Sequence, residues 1–120
     1  MKKLLCVLLS TVLLASCTST IGEYSVLSNR NIDITHSKNF SRGSIVSGYS
    51  GSVVVGIFQL GTPDVNEALK EAIDKDRCTV ALTDVTVKHN RAYLFYGVQN
   101  VGVTGRQLLD TSLPGCGNRR

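Results

Sequence analysis

The stretch Ser52-Val53-Val54-Val55-Gly56-Ile57-Phe58-Gln59 runs through Gly61 into Thr62-Pro63-Asp64-Val65-Asn66-Glu67-Ala68-Leu69-Lys70-Glu71-Ala72-Ile73, where one periodicity gives way to another. The first half is β-branched and aromatic and lies between Gly51 and Gly61, which predicts a strand. It is apolar on both faces, so a central place in a sheet is expected, and Gly56 in its middle suggests a bulge or a close neighbour. In the second half Thr62 suits an N-cap and Pro63 the first helical position, while Asp64 and Glu67 complement the N-terminal dipole. Val65, Ala68, Leu69, Ala72 and Ile73 recur at i, i+3, i+4, i+7 and i+8, a single apolar stripe. Glu67, Lys70, Glu71 and Lys75 fall on what reads as a solvated opposite side. The two alanines in the stripe suit close packing on a sheet.

Working outward, Cys78 to Lys88 returns to a strand pattern. Its apolar phase shifts between Leu82 and Val85, which predicts a bulge near Thr83-Asp84. His89-Asn90-Arg91 reads as a turn, and Ala92 to Val103 as a second long strand, closing an antiparallel hairpin. Upstream, Ile32-Asp33-Ile34 alternates as a short strand would, and Thr35 to Gly51 reads as loop because it is rich in Ser, Gly and Asn. The expected fold is α+β: a two-layer sandwich with one helix, about residues 63–76, on a three- or four-stranded, mostly antiparallel sheet. Residues 25–106 would form this small domain and 107–120 a polar tail.

The first residues carry a different message. Met1-Lys2-Lys3 is basic, and Leu4 to Ala15 is uncharged, with only Ser10 and Thr11 polar. That is the shape of a secretory leader, and it is shorter than the roughly 20 residues a membrane-spanning helix needs. It ends in Leu14-Ala15-Ser16-Cys17, which resembles the lipobox of bacterial lipoprotein precursors. The resemblance covers residues 1–17. It implies cleavage between Ser16 and Cys17, loss of residues 1–16, and a thioether-linked diacylglycerol on Cys17, with a further N-acyl chain in Gram-negative cells. Two or three acyl chains make an anchor that one chain cannot. Thr18 stands where Asp would mark inner-membrane retention, so the resemblance implies an outer-membrane destination in a Gram-negative host. The alternative is an ordinary signal peptide cut near Ala15 or Ser16, with Cys17 incidental. On the lipobox reading residues 17–24 are a lipidated tether, and the partners are the membrane and a further envelope protein.

Gly56-x-x-x-x-Gly61-Thr62-Pro63, the Ala-bearing helix and the strand–turn–aromatic strand that follows are loosely similar, over residues 51–103, to small bacterial lipoprotein domains called TRL-like. That group brings no activity with it.

With the leader removed, 104 residues remain, enough for one domain. Lys2 and Lys3 leave with it, so 11 basic residues face 9 acidic ones and the net charge falls from +4 to +2. No Lys/Arg cluster is interleaved with aromatics, so nucleic acid is not an expected partner. Cys6 goes with the leader and Cys17 with the lipid, leaving Cys78 and Cys116. In an exported chain such a pair reads as a disulfide. The alternative is a buried Cys78 and a free Cys116 in the tail.

Catalytic patterns are missing. Gly48-Tyr49-Ser50-Gly51 lacks the spacing of a nucleophile elbow. Gly56 to Thr62 enters a helix N-terminus, where anions can bind, but it lacks the Gly-Lys-Ser/Thr of a P-loop. His89 with Cys78 and Cys116 is a conceivable metal set without ligand spacing. Asp74, Asp76 and Asp84 read as solvated charges. Tyr93 and Phe95 share one strand face, as core residues would, while Tyr96 on the other face is a candidate for a binding surface. The expectation is a non-enzymatic interaction module without cofactor or metal. Its alternative is a small-ligand or metal-binding envelope lipoprotein.

Overall fold

A computed structural model describes residues 16–93 and 96–117. Residues 1–15, expected to be a leader, together with Phe95 and Arg119-Arg120, lie outside the described residues. Among those described, five strands form one antiparallel sheet in the order β1-β4-β5-β2-β3. They are β1 (Ser16–Leu27), β2 (Phe40–Val55), β3 (Phe58–Leu60), β4 (Thr79–Tyr93) and β5 (Tyr96–Asp110). A 3-10 helix (Ile34–Asn39) leads into β2, and one α-helix, α1 (Val65–Asp74), joins β3 to β4.

This corrects the expected two-layer α+β sandwich. Strand accounts for 61% of the described residues against 16% helical, and the sheet has five strands rather than three or four. The extra strand and the extra length come from stretches that looked like tether and loop. Residues 17–24 form most of β1, and residues 40–51 form most of β2. Residues 107–110, expected in the tail, complete β5. His89-Asn90-Arg91 lies inside β4, which continues to Tyr93 and pairs there with Gly97 of β5.

The polar composition of these strands follows from their two environments. Alternation along a strand sends successive side chains to opposite faces. Gly48, Ser50, Val85, Val87, Val101 and Val103 look toward α1 and are buried. Ser47, Tyr49, Lys88 and Thr104 look the other way, with the Ser47 and Thr104 hydroxyls 2.9 Å apart. A face open to water takes Ser, Thr, Asn and Gly without loss, so β2 has no apolar run over most of its length.

Helix α1 begins two residues later than its sequence suggests. Asp64 rather than Thr62 is the N-cap, its carboxylate accepting the Asn66 N–H at 2.8 Å. The apolar stripe is buried as expected: Ala68, Leu69, Ala72 and Ile73 pack with Leu82, Val85, Val87, Val101 and Val103. The helix comes so close to β2 that a Cβ on Gly48 would lie 2.0 Å from the Ala68 carbonyl oxygen. The charged flank is not simply solvated. Glu71 accepts the Tyr49 N–H at 2.6 Å, Lys75 Nζ donates to the Ser47 carbonyl, and Glu67 accepts the Ser50 hydroxyl at 2.5 Å. These side chains occupy the edge of β2 that β3, paired only to Val53–Val55, leaves free.

The predicted bulge in β4 is present: the register shifts between Thr83 and Thr86, and Asp84 has φ 52°. Cys78 and Cys116 form a disulfide with Cα atoms 5.7 Å apart, buried with Leu109 and Leu113. It fastens the segment after β5 to the start of β4.

The bond closes a loop of 38 residues, for which chain entropy gives about 4 kcal/mol. Cys78→Ala/Cys116→Ala is expected to lose most of that, read as a lower urea midpoint. Gly48→Ala is expected to cost about 1–3 kcal/mol by overpacking against backbone, measured in the same way.

Candidate functional site

The run Ser52–Gln59 is central only as far as Val55, and only Ser52 in it is buried. β2 ends at Val55, Gly56-Ile57 forms a two-residue turn, and β3 returns along the edge. Gly56 has φ 60°, the left-handed value that primed hairpin turns require at their first position. It therefore marks a turn rather than a bulge. Ile57 is 92% exposed, Phe58 71%, Leu60 64% and Tyr96 60%.

Register assembles these residues into one patch. Val53 pairs with both Leu60 and Val98, and Val55 with both Phe58 and Tyr96. Paired residues share a face, so these six side chains stand together on the side of the sheet away from α1. Tyr93 lies on the helix side beyond the helix, half exposed, with its ring against Gly97 and its hydroxyl donating to Gln99 Oε1 at 3.4 Å. It is not the core residue expected. Tyr96, singled out as a candidate surface residue, is in the patch. A sequence signal for the rest existed in the two-residue Gly-Ile loop, which sends the flanking apolar residues to the end of a hairpin.

Charge divides the sheet lengthwise. Residues 51–63 carry no charged side chain, and from Asn90 to Gly105 only Arg91 does. The opposite end holds the Arg30–Asp74 ion pair at 3.2 Å and the Asp33–His36 pair at 3.4 Å. An open groove of about 600 Å³ lies there, lined in part by Arg30, Asp33, His36 and Asp110. The Asp33 carboxylate is held below its ordinary value, first by the Thr35 hydroxyl and then by the Thr35 N–H, with a smaller contribution from His36. Its side chain is exposed and its partners are local.

The other candidates do not assemble. Cys78 and His89 stand far apart along β4, roughly 35 Å by strand rise, and Cys78 and Cys116 are consumed by the disulfide. The Cys78/Cys116/His89 metal set is thereby overturned. Among the described residues no group of three or more His, Cys, Asp or Glu is placed to hold a metal. At the Gly56–Thr62 turn the helix N-terminus is capped by the Asp64 carboxylate, which repels an anion. Asp74 pairs with Arg30, Asp76 accepts the Cys78 N–H at 2.9 Å, and Asp84 sits in the β4 bulge. Cys17 is exposed with a free thiol, and it pairs in register with Arg91. No helix among the described residues is long and apolar enough to cross a membrane.

Compared with family models, curated proteins and solved structures, the chain matches none.

Because the patch lies outside the core, Phe58→Ser and Tyr96→Ser are expected to change stability by less than about 0.5 kcal/mol. Leu69→Ala, in the core, is expected to cost about 2–5 kcal/mol. Urea midpoints of the three variants make the comparison.

Proposed function

We propose that this chain is a bacterial envelope lipoprotein, anchored by acyl chains on Cys17, and that it acts as a non-catalytic interaction module on the membrane. The observation that carries the reading is Leu14-Ala15-Ser16-Cys17 at the end of an apolar leader, followed by a folded domain in which that cysteine is exposed and takes no part in a disulfide. The buried Cys78–Cys116 bond suits an oxidising compartment. The apolar patch, standing apart from any assembled polar site, suits recognition rather than chemistry. Thr18 supports an outer-membrane address in a Gram-negative host.

Mass spectrometry of the protein from fractionated cells tests this. The expected product begins at Cys17 and carries two or three acyl chains. Cys17→Ala is expected to retain the leader and lose the acyl mass. An intact, unacylated N-terminus on a cytosolic product would overturn the reading.

A further inference from the structure

We propose that the uncharged end of the sheet, Val55, Ile57, Phe58, Leu60, Tyr96 and Val98, rests in the surface of the same bilayer that holds Cys17. The inference depends on acylation of Cys17 and adds an orientation to it. Its basis is register. Ser16 pairs with Ala92, Ala92 with Val98, Val98 with Val53 and Val53 with Leu60. One line across the sheet thus joins the start of β1 to the patch. Five strands at about 4.8 Å spacing put the two ends of that line roughly 19 Å apart. Whatever precedes Ser16 is joined to the domain at this end.

No slack separates the anchor from the sheet. Residues 17–24, which could have been a flexible spacer, are hydrogen-bonded into β1, with Cys17 opposite Arg91 and Thr18 opposite Asn90. A diacylated Cys17 therefore holds this end of a rigid sheet against lipid, and the exposed side chains there must meet either headgroups or acyl chains. Their chemistry fits that boundary. Tyrosine and other aromatic rings favour the membrane interface, and Arg91, the one charge near the line, is complementary to anionic headgroups. No carboxylate lies between residues 51 and 63 or between 85 and 109. The strands would then stand away from the membrane and present the charged, disulfide-bonded end about 50 Å out, given 15 residues per strand.

The chain contains no tryptophan, so a single substitution gives an unambiguous reporter. Phe58→Trp, Tyr96→Trp and the far-end control Ile34→Trp would each be expressed with the leader, purified in the acylated form and reconstituted. The vesicles contain phosphatidylethanolamine and phosphatidylglycerol, with or without brominated acyl chains. Brominated chains are expected to quench both tip reporters about twofold or more, since interfacial side chains sit within reach of the upper acyl region. The Ile34→Trp control is expected to be unaffected. If Cys17 carries its acyl chains and neither tip reporter is quenched, the orientation is overturned and the anchoring reading stands. Blue-shifted tip emission without lipid quenching assigns the patch to a second copy of this chain, and also overturns the bilayer as occupant. Absence of acyl mass on the purified chain overturns both readings.

Discussion

A ten-residue helix cannot cover fifteen-residue strands. Helix α1 is about 15 Å long, and β4 and β5 run about 50 Å. This mismatch governs the rest of the structure. The main core lies where the helix lies, between Gly48 on β2 and Val85 and Val87 on β4, and a second small cluster surrounds the Cys78–Cys116 disulfide. The helix must come very close to make that core dense, so the facing residues are glycine on the strand and alanine on the helix. Over the opposite face, and at the hairpin end beyond its reach, most of the sheet's side chains meet solvent.

Two of the sheet's free edges are handled differently. A strand edge exposes unpaired N–H and C=O groups that invite another strand. Along β2 the helix supplies the partners, Glu71 for the Tyr49 N–H and Lys75 for the Ser47 carbonyl. These are residues that helical periodicity alone assigns to solvent. They lie one and two turns beyond Glu67, so a single flank of α1 satisfies the strand while the adjoining stripe fills the core. The outer edge of β1 receives no such cover from α1. Its register shift between Thr20 and Gly22 is the sort of irregularity that blunts edge pairing.

What could be read from the sequence follows the same division. The helix stripe and the Thr83-Asp84 bulge were legible because burial on the α1 side imposes a period on apolar residues. The cysteine pair was legible through elimination once the leader was recognised. β1 and most of β2 were not. Their outward residues are mostly Ser, Thr, Gly and Tyr with Ile45 among them, their inward ones include Gly48 and Ser50, and no regular alternation of apolar with polar survives. The Val53–Phe58 run misled in the opposite sense. Hydrophobicity on both faces normally means a central strand, yet here it marks a hairpin end that the helix does not reach. The candidate surface was visible in the sequence only as Tyr96, because its other members are brought together by pairing across β5, β2 and β3.

That hairpin end has a physical difficulty that the fold itself leaves unresolved. β3 is three residues long and exposed throughout, so it protects the edge of β2 poorly, and beside it lie aliphatic and aromatic side chains with no charge to discourage association. Elsewhere the molecule uses charge freely: Glu67, Glu71 and Lys75 along β2, Arg30 with Asp74, and Asp33 with His36. An apolar edge free of such gatekeepers is a template for aggregation when left bare. Since exposed side chains contribute little to the stability of the fold, packing cannot account for Ile57, Phe58 and Leu60. On the proposed reading the bilayer covers them, and the register places Cys17 at the same end of the sheet.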